Sequence, residues 1–120
     1  MQSPLQIAFE GVDRSESIEE RIRQEASSLD QIDQRITSAR IVVAKSRHRH
    51  HKGEPYQIRI HLTVPGAADI NVTHESSTEK HDDDILVAIH HAFRAAHRRL
   101  EDMLRKRDER IKTNRTVPND

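Results

Sequence analysis

The side chains able to do chemistry in this 120-residue chain are mostly arginine, lysine and histidine, gathered in two places. The first is Lys45-Ser-Arg-His-Arg-His-His-Lys-Gly-Glu54, in which Lys45, Arg47, Arg49 and Lys52 interleave with His48, His50 and His51. The second is the basic stretch from Arg94 to Lys112. Stepping about 100° per residue from Ala96 puts Ile85, Ile89, Ala92, Phe93, Leu100, Met103 and Leu104 in one sector. Arg94, Arg98, Arg105 and Lys112 then fall in a narrow stripe nearly opposite. A helix that docks through one face and shows a comb of guanidiniums on the other suits a polyanion such as RNA. The same spacing also fits a solvated face closed by i,i+4 pairs, Glu101 with Arg105 and Asp102 with Lys106.

The 45–54 segment reads first as a phosphate-contacting loop whose charge rises as its histidines protonate below about pH 6.5. His-x-His-His also offers imidazoles at metal-ligand spacing, but Arg47, Arg49 and Lys52 repel a cation and only Glu54 adds a nearby carboxylate. A plain solvated basic loop is the third reading. His90 and His97 share a helix face two turns apart, too far to share a metal, and His61 falls beside Arg59 on a strand's polar side. Asp82, Asp83 and Asp84 suit capping and dipole compensation at a helix N-terminus better than a divalent ion.

No catalytic group stands out. Three glycines leave no phosphate-cradling loop, no serine sits in a nucleophile elbow, and cysteine is absent. No enzyme, cofactor, resident metal or small-molecule substrate is therefore expected. Phe9 and Phe93 fall on core positions and Tyr56 on an apolar register. That leaves no set of aromatics for stacking bases, so any RNA is recognised by backbone and shape.

The formal net charge is zero, yet the charge is unevenly spread. Residues 1–34 carry eight acids against three bases and 62–93 six against one, while 40–61 carry six bases against one acid and 94–112 eight against four. Local fields of this kind steer a partner more than the total does. Hydrophobic and charged residues each make up 33% of the chain, so the core is small and the surface dense in charge. No apolar run reaches a membrane span and the N-terminus lacks a signal peptide's regions, so a cytoplasmic location without a membrane partner is expected.

The elements that position these groups follow from periodicity. Leu5, Ile7 and Phe9 alternate with polar or small residues in a short strand ended by Gly11. Ser15 or Ser17 opens a helix, with Ile18, Ile22, Ala26 and Leu29 on its apolar face, to about Asp30. Residues 36–45 form a second strand, with Ala39, Ile41 and Val43 on one side and Arg40 and Val42 on the other. Tyr56 to Val64 alternate cleanly as a third, Pro65-Gly66 is a turn, and Ala68 to Thr73 a fourth. The long helix runs from Asp82 to Lys112, outlasting its apolar stripe, so that Arg107 takes the core-facing position beyond Leu104. The order β-α-β-β-β-α predicts an α+β two-layer sandwich, two helices on one face of a four-stranded mixed sheet. Residues 1–112 form a single domain and 113–120 a flexible tail.

Lys80-His81-Asp82-Asp83 leads into Asp84-Ile-Leu-Val-Ala-Ile-His-His-Ala-Phe-Arg-Ala-Ala-His-Arg-Arg-Leu100. With the element order and the Pro-Gly turn, this resembles the ribosome hibernation-promoting factors, the family that includes the ribosome-associated translation inhibitor, over residues 4–108. Asp84, Ala88, Ile89, Ala92, Arg98 and Leu100 match without gaps. The order alone is shared with double-stranded-RNA-binding domains. The family's usual lysine is Ala95 here, and Glu16 and Glu20 face outward where members are commonly basic.

The resemblance implies a non-enzymatic factor that binds the small ribosomal subunit and its ribosomal RNA in the messenger and transfer RNA channel. It implies inhibited translation in stress or stationary phase. The candidate RNA contacts are Arg40, Lys45, Arg47, Arg49, Lys52, Arg59, Arg94, Arg98, Arg99, Arg105 and Lys106. The competing reading is a protein-interaction module of the same fold that docks its acidic first helix on a basic partner. A connected surface of unpaired bases favours RNA, and neutralising ion pairs favour the module.

Overall fold

A computed structural model describes residues 5–45, 56–76 and 85–116, with side chains described as far as Glu109. The elements are β1 (Leu5–Glu10), α1 (Glu16–Ile32), β2 (Ser38–Lys45), β3 (Tyr56–Thr63), β4 (Ile70–Glu75) and α2 (Ile85–Thr116). The sheet order is β1-β2-β3-β4. β1 pairs parallel with β2, as a helical crossover demands, and the remaining pairs are antiparallel. The expected α+β fold and mixed sheet are what is found.

The register explains the core. Ile7, Ile41, Ile60 and Val72 lie side by side across all four strands, with Leu5, Ala39, Leu62 and Ile70 in a second row. These rows belong to one core cluster with Ile22 and Leu29 of α1 and Ile89, Phe93, Ala96 and Leu100 of α2. Cutting Ile41 or Ile60, both almost fully buried, back to alanine costs about 2–5 kcal/mol.

Ser15 opens α1: its backbone is extended and its hydroxyl accepts the Ile18 N–H at 3.4 Å. Ser17 instead meets the Ser15 hydroxyl at 2.9 Å. The helix runs to Ile32, and Asp33 caps it, its N–H donating to the Leu29 carbonyl. The Asp33 side chain is only 2% exposed and accepts from the Arg35 backbone N–H at 2.9 Å and Nε at 3.0 Å. Arg107 of α2 approaches it from the other side at 3.9 Å. An arginine in the core-facing register of α2 is thus accommodated by a buried carboxylate that ties the two helices together.

Several boundaries differ from the periodicity, α1, β3 and β4 each ending within two residues of where they were read. β2 begins at Ser38 rather than residue 36, because Ile36 is buried in the preceding turn. β4 begins at Ile70 rather than Ala68, because the turn through Gly66, at φ 75°, takes up the intervening residues. α2 continues to Thr116 instead of yielding to a tail after residue 112. The sequence holds no breaker there before Pro118, which disfavours helix at the residue ahead of it. The acidic run Asp82 to Asp84, the 46–55 loop and residues 117–120 lie outside the described residues.

Candidate nucleic-acid interface

α2 packs on β3, β4 and α1, so its opposite side faces outward. Arg94, Arg98 and Arg105 are exposed along that side, as their spacing predicts, and Lys106 is exposed beside them. Arg94, Arg98 and Lys106 make no ion pair or hydrogen bond among the described residues. The expected i,i+4 pairs do not form. Arg105 instead pairs with Asp102 one turn back, at 2.8 Å, and Glu101 faces His97 at 3.5 Å. Arg99, which lies off the stripe toward the sheet, donates to the backbone carbonyl of Asn71 on β4.

The neighbouring helix is less anionic than its composition suggests. Glu19 pairs with Arg14 at 3.0 Å and lies 3.9 Å from Arg23. Glu25 receives His90 of α2 at 2.9 Å and Arg21 at 3.8 Å. Glu20 is within 4.0 Å of Arg23, and Glu16 stays exposed in the first turn. Most of the acids of α1 are engaged along their own helix or bound to α2.

Arg40 and Arg59 sit on the other side of the molecule. Strand alternation puts them with His61 on the sheet face away from the helices. Arg59 is held there by Glu10 at 2.9 Å and by the Gln57 amide oxygen at 3.2 Å, and Gln57 in turn donates to Glu75 at 3.2 Å. His61 faces Asp69 at 2.9 Å. Arg40, opposite His61 in the register, is exposed and makes no ion pair among the described residues. Together with Val42, Asn71 and Thr73 these side chains line a shallow depression. Among the described residues the face holds one unpaired cation, Arg40, within a largely neutralised network.

The described candidate bases therefore divide between two opposed faces instead of joining into one surface. Lys45, exposed at the end of β2, is in the register that faces the helices. The loop after it departs from the end of the sheet at which β4 hands over to α2. Arg47, Arg49 and Lys52, with His48, His50 and His51, lie outside the described residues. Among the described residues no three His, Asp or Glu side chains converge as a metal site. None of their helices is long and apolar enough to cross a membrane.

The contacts that sequence reasoning missed include the Asp33 clamp, the Arg99 bond to β4, and His90 with Glu25. Arg107 in a core-facing position was a signal for the first, since a cation there needs a buried acid. The other two join residues far apart in sequence and left no local trace.

A family model described as sigma 54 modulation protein / S30EA ribosomal protein matches residues 5–112. None of the curated proteins compared with the chain matches it. Among solved structures, a ribosomal subunit interface protein from Coxiella burnetii is similar with a TM-score of 0.62 and 19% identity, over 82% of this chain and 93% of that one. The N-terminal domain of Protein Y from Thermus thermophilus is similar with a TM-score of 0.65 and 17% identity, over 85% and 98%. At such identities the two structures establish a shared fold.

Proposed function

The chain belongs to the sigma 54 modulation protein / S30EA ribosomal protein family, a family of ribosome-associated proteins, and from that premise we propose a hibernation role. It binds the small ribosomal subunit in the channel used by messenger and transfer RNA, contacts ribosomal RNA there and holds translation down in stress or stationary phase. It acts in the cytoplasm by occupying a site, not by catalysis.

The observation that carries this reading is the outer face of α2, where Arg94 and Arg98 stand one turn apart, exposed and unpaired among the described residues. A helix docked on a sheet holds such groups in place, so little entropy is lost when phosphates bind them. Lys106 adds a cation on the flank of α2, and Arg105 joins the stripe on exchanging Asp102 for phosphate. Arg99 supports β4 first. Lys45, Arg47, Arg49 and Lys52 supply a second cluster, and Arg40 and Arg59 contribute only where RNA also reaches the open sheet face. Phe9, Tyr56 and Phe93 are packed against or within the core, which leaves backbone contacts, and a strong salt dependence, as the mode of recognition.

Sucrose-gradient sedimentation with purified ribosomes, with and without messenger RNA and initiator transfer RNA, tests the proposal. The protein is expected to travel with the small subunit at low salt, to be released as salt rises from about 50 to 200 mM, and to be displaced by the two RNAs. Protein at the top of the gradient at both salts contradicts ribosome binding. Co-migration indifferent to the RNAs contradicts the channel.

A further inference from the structure

We propose that the outer edge of β1 is a self-association site, pairing antiparallel with β1 of a second copy of this chain. Among the described residues β1 pairs only with β2, so it ends the sheet with a row of unpaired N–H and C=O groups. Such an edge is a template for another strand unless charge, proline, a bulge or a covering element blunts it. The six residues Leu5–Glu10 contain no lysine, arginine or proline. Leu5, Ile7 and Phe9 are packed against the core yet only partly buried, so each keeps apolar surface at this edge.

The opposite edge shows the contrast. On β4 the Arg99 guanidinium occupies the Asn71 carbonyl. The apolar residues of β4, Ile70 and Val72, are only 6% and 4% exposed. Among the described residues, the β4 edge has a carbonyl taken up and its apolar side chains buried, whereas the β1 edge is apolar and uncovered.

A second copy fits because the strand is complementary to itself. With a dyad at Ile7, Ile7 lies opposite its own counterpart, Leu5 opposite Phe9, and Gln6 opposite Ala8. Partners of the same parity keep their side chains on the same face. The apolar row therefore continues across the dyad on the helix side, and no charged residue faces a like charge. The only charged residue of the strand, Glu10, lies beyond the paired segment and is held by Arg59 at 2.9 Å. A six-residue edge buries less than the roughly 1,000 Å² of a stable interface, so the association is weak and appears at about 0.1 mM or above.

Analytical ultracentrifugation of the full chain, without ribosomes, from about 10 µM to about 1 mM tests this independently of the ribosome-binding proposal. The weight-average mass is expected to rise from one chain toward two. Ala8→Lys, placed on the face away from the core and checked for an unchanged thermal melt, is expected to stay at one chain throughout. A wild-type mass constant at one chain, or a dimer unaffected by Ala8→Lys, overturns the proposal.

The absence of cysteine allows a second measurement. Antiparallel partners are about 4.5–5.5 Å apart at Cα, within disulfide reach. Ile7→Cys oxidised by diamide is expected to link into dimers at least fivefold faster than Asn71→Cys on β4. Equal rates assign the encounter to collision and overturn the register.

Discussion

The outer face of α2 and the open face of the sheet both carry arginines, and the two faces treat them differently. On α2, Arg94 and Arg98 project from a docked helix with no acid among the described residues bound to them. On the sheet, Arg59 is enclosed by Glu10 and Gln57, and Arg40 alone makes no ion pair among the described residues. The cause is geometric. Side chains on adjacent strands stand about 5 Å apart, so an acid on β1 easily reaches a base on β3 by extending over β2. On the outside of a helix only residues three or four positions away are neighbours. The residues at those positions from Arg94 are His90, His91, His97 and Arg98, none of them acidic. A count of arginines does not measure a cationic surface; what matters is where the nearest carboxylates fall.

The comparison breaks most easily at the helix. Arg94→Glu with Arg98→Glu is expected to weaken ribosome or RNA binding about 100-fold at moderate salt, at about 1–1.5 kcal/mol per reversed contact, and to lower the salt slope by about two. Filter binding across a salt series measures both. Thermal unfolding of this variant should stay close to wild type, because neither exposed side chain makes an ion pair or hydrogen bond among the described residues.

Removing the support behind that face tests stability instead. Asp33→Ala leaves Arg35 without its bonds and Arg107 half-buried without its acid, and is expected to cost about 2–3 kcal/mol in urea unfolding. The penalty falls below that of a fully buried pair because Arg35 is largely exposed. A loss under about 0.5 kcal/mol, the usual range for surface positions, shows that the clamp does not hold the helices.

On the sheet the effects are smaller and ordered. Arg40→Glu is expected to weaken RNA binding about threefold, the effect of one free but peripheral charge. Arg59→Gln is expected to change it by less than about twofold, since its charge is already taken up by Glu10. Glu10→Gln sharpens the point by releasing Arg59, and about a twofold gain in affinity is expected at low salt. If Arg59→Gln weakens binding as much as the α2 variant does, pairing is not what separates the two faces.

The fold was legible because its signals are local. Alternation from Tyr56 to Leu62 names β3 and its core side together, and the apolar stripe from Ile85 to Leu100 does the same for α2. The arginine stripe was legible for the same reason, since helical spacing alone sets its direction. Pairing was not. Arg59 and Glu10 are separated by 49 residues, and their meeting depends on the register of three strands. Arg99 lies one position from Arg98, yet its hydrogen bond to β4 depends on where the sheet ends beneath the helix. The spacing of Glu101 with Arg105 gave the wrong partner, because Asp102 competes for the same guanidinium at i,i+3. Asp33, which falls between the helix read to about Asp30 and the strand read from residue 36, carried no local signal and is the most deeply buried acid among the described residues, a role set by α2 arriving from the far end of the chain.

The most direct test of the central claim is co-sedimentation of three proteins with isolated small subunits over a salt series. They are the wild type, Arg94→Glu with Arg98→Glu, and Arg40→Glu with Arg59→Glu. The account predicts that the helix variant is lost from the subunit at salt where the wild type remains bound, while the sheet variant follows the wild type closely. Loss of the sheet variant with retention of the helix variant contradicts it, and places the RNA on the opposite face of the molecule.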